Sequence, residues 1–178
     1  MPRPLVSVFL LLLFLTAAPA AMAAALQGWV VAVADGDTLT VRDERKQQHR
    51  VRLAGVDAPE NSQPFGEQAR QRVEGLLMGR PVMVFWFGKE ADGRMIGVVY
   101  VSMPALEGCE APCSLNVGLT LVEEGLAWRN PADQKRKLPI PHAQYREQEL
   151  AARVARVGLW ADAAPVAPWL WRKRGRVQ

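Results

Sequence analysis

Trp29 to Ala34 and Thr38 to Arg42 are short runs rich in β-branched residues, and Asp35-Gly36-Asp37 between them is a strong turn signal, so the pattern predicts an antiparallel hairpin. Polar residues from Asp43 to Gln48 make a second turn. Alternation resumes from His49 to Val56, with Val51 and Leu53 on one side and Arg50, Arg52 and Ala54 on the other, which predicts a third strand. The period then lengthens. Between Gly66 and Met78, the residues Ala69, Val73, Leu76 and Leu77 fall on one face of an amphipathic helix that Gly79 stops. Pro81 to Phe87 and Met95 to Val101 read as two further strands around a turn from Gly88 to Arg94. Leu115 to Ala127 reads as a helix. So does Pro141 to Val157, with an apolar stripe of Leu150, Val154 and Val157 and Gly158 as its stop.

Three strands, a helix, two strands and two helices predict an α+β, β-rich fold. Its core would be a five-stranded, partly closed barrel with a helix between the third and fourth strands, the OB arrangement, with three α-helices in all. No internal repeat interrupts that order. Ahead of it, Met1 to Ala25 has a short basic lead with Arg3, an apolar run from Leu5 to Leu15 and a small-residue segment, the three-part order of a secretory signal, with cleavage expected after Ala23. The apolar run is shorter than the roughly 20 residues of a spanning helix. The expectation is therefore an exported protein without a stable membrane span, periplasmic in a Gram-negative cell and secreted or at the cell surface otherwise. The expected organisation is a signal over 1–23, one domain over 27–161 and a Pro/Trp-rich basic tail over 162–178, with a monomer as the default.

Charge changes this picture little. The formal net charge is +4, but Arg3 and the tail cations Arg172, Lys173, Arg174 and Arg176 supply it, so the body of the chain is near neutral. A general nucleic-acid groove does not follow from the isoelectric point. The tail reads as a solvated basic end, with contact to nucleic acid or an anionic surface as the other reading. Cys109 and Cys113, separated by Glu110-Ala111-Pro112, read as a local disulfide in an oxidising compartment, contributing about 2 kcal/mol, with a reduced pair as the alternative. A zinc site using them is disfavoured, since His49 and His142 are remote.

The densest chemistry lies in Val51 to Glu60 and the turn before it. Asp35, Asp37, Asp57 and Glu60 bring hard oxygen donors together with the planar fork of Arg52, a set suited to metal-assisted attack on a phosphodiester. Each group also has a plain structural reading. Asp35-Gly36-Asp37 is a common hairpin turn, Asp57-Ala58-Pro59-Glu60 a turn opened by a local acceptor, Arg94 an exposed turn arginine and Asn116 a hydrogen-bonding group at a helix start. Strict alternation sets Arg52 on the face opposite Asp57, so joining them needs a bend or bulge, with Gly55 the candidate. Trp29, Trp86, Trp128 and Trp160 read as packing residues, and Tyr145 as either a helix-surface tyrosine or a base-stacking platform. Asn130 to Pro141, carrying Lys135, Arg136 and Lys137, reads as a mobile basic loop able to contact a nucleic-acid backbone.

Taken in order, Asp35-Gly-Asp-Thr38, Arg52-Leu-Ala-Gly-Val-Asp-Ala-Pro-Glu60, Gln63-Pro-Phe-Gly66, Gly93-Arg94, Leu115-Asn116, Gly125-Leu-Ala-Trp128, Glu149, Arg153 and Gly158-Leu-Trp160 resemble the thermonuclease, or staphylococcal-nuclease-like, family across nearly the whole mature chain. The resemblance implies an OB-fold nuclease that hydrolyses DNA and RNA with calcium and leaves 3′-phosphate ends. Carried over by position, Asp37, Asp57 and the backbone carbonyl of Ala58 would hold the ion, with Asp35 assisting from outside. Arg52, Glu60 and Arg94 would be catalytic, Glu60 as the general base. Asp92 departs from the pattern, because active relatives often carry a bulky aromatic just before Gly-Arg, and it makes the phosphate side of the groove more acidic. The expected function is an exported calcium-dependent nuclease of little sequence specificity. The alternatives are an OB module that binds single-stranded nucleic acid or a protein without cutting it, and a surface-associated protein located by its Trp-rich basic tail.

Overall fold

The computed structural model describes residues 24–103, 113–136 and 138–175. The predicted signal and the side chains of the expected Cys109–Cys113 disulfide lie outside them, as does Lys137. Strands β1 (Ala24–Val33), β2 (Thr38–Arg42) and β3 (Gln48–Leu53) form an antiparallel meander. Helix α1 (Gly66–Leu77) follows a two-residue strand β4 (Val56–Asp57), and β5 (Pro81–Lys89) returns antiparallel to β1 and pairs with β6 (Met95–Met103). Parallel pairing of β3 with β6, Val51 opposite Met95 and Leu53 opposite Gly97, closes these five long strands into a mixed β-barrel. This is the OB-type α+β fold expected from the pattern.

Alternation explains the core. Val30, Leu39, Val41, Val51, Leu53, Val82, Val84, Val99 and Val101 point inward from successive strands and are buried together with Ala69, Val73, Leu76 and Leu77 of α1. Each such side chain stabilises the fold by about 1.5–3 kcal/mol through removal of apolar surface from water. Glycine at position 66 lets α1 start against the preceding loop, because a Cβ there would lie 1.8 Å from the Glu60 carbonyl oxygen.

The second half of the chain departs from the pattern. Leu115 and Asn116 end a strand β7 (Cys113–Asn116) on the edge of β6, and only then does α2 (Val117–Glu123) begin, capped by Asn116 Oδ1 accepting from the Leu119 N–H at 3.2 Å. Strand β8 (Trp128–Arg129), antiparallel to β4, leads into the predicted mobile basic loop, which contains helix α3 (Pro131–Lys135), held by a fully buried Asp133. Helix α4 (His142–Ala155) buries Tyr145, Glu149 and Ala152, while Leu150 and Val154 are 61% and 78% exposed. The stripe of Leu150, Val154 and Val157 is therefore the outward face, because the Tyr145 ring and the Glu149 carboxylate find partners inside. Leu159 and Trp160 of a 3-10 turn (Gly158–Ala161) cover Ala152, and a final helix α5 (Pro168–Arg174) packs where a solvated tail was expected. No helix among the described residues is long and apolar enough to cross a membrane.

Candidate active site

The turn between β1 and β2 is built by Asp35, whose Oδ1 accepts from the backbone N–H groups of Asp37 (2.9 Å) and Thr38 (2.6 Å). That turn sends Asp37 inward, where it is 8% exposed. Its two oxygens accept from the Thr38 hydroxyl and the Ala58 N–H, each at 3.0 Å. The Leu53 N–H donates to the Asp37 carbonyl at 2.8 Å, tying this turn to the end of β3. Two residues on, Gly55 takes φ +83°, a left-handed conformation that breaks the alternation of β3. The chain re-aims through it, so Arg52 and Asp57 line one cleft although strict alternation would separate them.

The cleft has a volume of about 720 Å³, and Asp35, Asp37, Asp57, Glu60, Arg52 and Arg94 all line it. The two arginines differ. Arg52 is nearly saturated by the protein: its Nη2 donates to both oxygens of Asp133 (2.8 and 3.0 Å), its Nε to Glu90 (2.9 Å) and its Nη1 to the carbonyls of Leu53 and Val56 (3.1 and 3.3 Å). Burial is the strongest single influence and opposes its charge, but the bonds and charge of Asp133 together with the charges of Glu90 and Asp37 hold the guanidinium above its usual pKa. Arg94 is more loosely held. Its Nη1 donates to the Thr38 hydroxyl (3.2 Å), and it lies within 2.9 Å of Glu90 and 2.8 Å of Asp92. Yet Arg94 Nε and Glu90 Oε2 are buried without an aligned hydrogen-bond partner, so these two close contacts are charge contacts with poor geometry.

Burial pushes the Asp37 carboxyl far above the usual carboxylate range, and the charges of Asp35 and Asp57 push it the same way. Asp57 is also raised, because burial outweighs the hydrogen bonds and charge of Arg172. Crowded, buried carboxylates of this kind are relieved by a cation. The donor set is all oxygen and anionic, which fits a hard ion such as calcium better than zinc. Among the described residues, no three His, Cys, Asp or Glu side chains already close around one point. The fit therefore depends on Asp57, whose two oxygens are both engaged by Arg172.

One expected residue, Tyr145, sits elsewhere than the sequence placed it. It is 1% exposed, its hydroxyl donates to Asn116 Oδ1 at 3.1 Å, and burial pushes its pKa up to about 12, so it braces α4 on α2 and offers no face to a base. Lys135 and Arg136 do line the cleft, with Arg136 within 3.6 Å of Asp133. Asp133, Glu90 and Arg172 were not singled out as site residues. Asp133 lies 81 positions from Arg52 and Arg172 lies 115 from Asp57, separations at which no local spacing signals a contact.

Residues 50–162 match the family model described as Staphylococcal nuclease homologue, a span that begins after Asp35 and Asp37. Over 165 residues, 92% of this chain and 95% of the relative, the chain is 37% identical to a protein of Escherichia coli O157:H7 named Uncharacterized endonuclease. It is 40% identical to the Micrococcal nuclease of Shigella flexneri, over 84% of this chain and 82% of that one. Staphylococcal-like nuclease CAN1 of Arabidopsis thaliana is 32% identical over 73% of this chain and 35% of its own length.

Proposed function

The chain belongs to the staphylococcal nuclease homologue family, and from that premise we propose that it is a calcium-dependent nuclease, exported from the cell, that hydrolyses DNA and RNA with little sequence specificity and leaves 3′-phosphate ends. The observation that carries the reading is the cleft itself: buried, mutually repelling Asp37 and Asp57 beside Glu60, with the under-bonded Arg94 among the same lining residues. Asp37, Asp57 and the Ala58 carbonyl would hold the calcium ion, with Asp35 bracing the turn. When bound, the ion supplies positive charge to the phosphoryl oxygens.

The chain's own residues do the rest. Glu60 takes the proton of the attacking water, its carboxylate being an acceptor on the cleft wall. Arg94 donates to the phosphoryl oxygens as negative charge grows there. Arg52, with its donors already engaged, contributes a fixed positive field and holds the Gly55 turn in place. DNA and RNA share the phosphodiester that these groups address, which accounts for a low demand on base sequence.

One observation favours the competing reading of a non-cutting OB module. The cleft's Asp57, Glu60, Arg52 and Arg94 already have internal counter-ions. Cleavage of single-stranded DNA, with calcium and with a chelator, separates the two readings. Calcium-dependent cutting that Glu60→Gln and Arg94→Ala each lower by roughly a hundredfold or more supports the enzyme. A folded protein that binds the same DNA and leaves it intact points to the binding module.

A further inference from the structure

Helix α5 contributes Trp169 and Arg172 to the wall of the cleft and places a cation on its acids. Pro168 opens the helix, Ala167 before it is buried, and the Gln63 side-chain amide donates to the Val166 carbonyl. Trp169 packs edge to face on Trp128 with ring centroids 5.7 Å apart. Trp128 is the residue paired in register with Asp57, so this anchor sits next to the site. One turn further along α5, Arg172 reaches in. Its Nη1 donates to Asp57 Oδ1 at 2.9 Å and its Nη2 to Asp57 Oδ2 at 2.7 Å, a two-pronged pairing, and Nη1 also donates to Glu60 Oε1 at 2.7 Å.

We propose that α5 is an intramolecular gate in which Arg172 stands in for the metal ion on Asp57 and ties down Glu60 until calcium displaces it. This inference rests on the calcium reading above. A guanidinium fork engages both carboxylate oxygens at once, so an ion coordinated by Asp57 competes with Arg172 for the same two oxygens. A divalent ion and a guanidinium on the same carboxylate also repel each other, so each weakens the other's hold. Arg172 is held near by chain connectivity and by the Trp169–Trp128 contact, so the competition is intramolecular and does not weaken on dilution. Its side chain is 39% exposed, so the seat is at the rim and the arginine has solvent to swing into. Because Glu60 shares the same donor, release of Arg172 frees the base and the metal ligand in one movement.

Calorimetric titration of calcium alone into the purified wild type and into Arg172→Gln and Arg172→Lys tests this, with hydrogen exchange of 166–175 followed in parallel. The gate predicts about tenfold tighter calcium binding by Arg172→Gln, the size of an ordinary intramolecular coupling. Arg172→Lys, which keeps the charge and loses the fork, should fall between. In the wild type, calcium should lower exchange protection in α5. Equal or weaker calcium binding by Arg172→Gln, with α5 protection indifferent to calcium, overturns the gate and leaves the nuclease reading standing. No calcium uptake by any of the three proteins, each folded by thermal melting, overturns both.

Discussion

Asp37 condenses the site into one residue. Its carboxyl is buried, it accepts only two neutral hydrogen bonds, and it faces two other carboxylates, so its proton is held far more tightly in the folded chain than in the unfolded one. A carboxyl whose folded pKa lies above its unfolded value of about 3.9 contributes stability that is full below that value and is lost as pH rises through the folded one. Without divalent ions, the melting temperature should therefore fall between about pH 4 and about pH 8, and Asp37→Asn, which keeps an acceptor for the Ala58 N–H, should flatten that fall. Melting curves across pH in a chelator check this. A variant with the wild-type slope would mean that Asp37 titrates normally. Of the groups around it, Asp35, Asp57 and Glu60 were legible as candidates from their spacing, because turn chemistry is local. The burial that gives Asp37 its tension was not legible, because it depends on packing from distant strands.

At the scale of elements, local sequence was a good guide wherever one face meets one core. Helix α1 follows its apolar stripe residue by residue. Its start is fixed more tightly than periodicity reveals, since Gly66 packs where any Cβ would strike the Glu60 carbonyl. Gly66→Ala should destabilise the fold by about 2–3 kcal/mol, as overpacking against backbone does. Equilibrium urea unfolding measures it, and a loss well under 1 kcal/mol would show that the loop carrying Glu60 shifts freely. Helix α4 is the opposite case. Its aliphatic residues Leu150 and Val154 face outward, while Glu149 turns inward and accepts from the Arg129 N–H at 3.1 Å and its Nε at 3.0 Å. A hydrophobic stripe names the buried face only when the inner side has no polar partners to satisfy. Here Arg129 and Asn116 supply such partners, and the rule inverts.

Across the whole molecule, two long-range ties set the geometry of the cleft. Parallel pairing of β3 with β6 closes the barrel, and the ion pair between Arg52 and the fully buried Asp133 pins the segment after β8 across the end of β3. Breaking that pair leaves a buried guanidinium half satisfied. Asp133→Ala should therefore cost about 3–5 kcal/mol, the usual penalty for stranding one partner of a buried pair. Denaturant unfolding of the variant measures it, and a change of less than about 1 kcal/mol would place the pair in water instead. The third long-range contact, Arg172 on Asp57 and Glu60, differs in kind. It joins the far end of the chain to the cleft through a half-exposed side chain, a contact that can exchange without unfolding anything.

By itself the sequence determined the barrel strands, the first helix, the acidic turns and the family resemblance. Alternation, helical period and turn residues act over a few positions and carry those features in the local order of side chains. Only the tertiary structure decided that Gly55 swings Arg52 and Asp57 into one cleft, that Asp133 saturates Arg52, that Tyr145 is a brace, and that Arg172 covers the acids. The reason is physical. The last three of these join residues 29 to 115 positions apart, and their partners are chosen by how the barrel closes and by where buried charge must be compensated, neither of which leaves a period in the sequence.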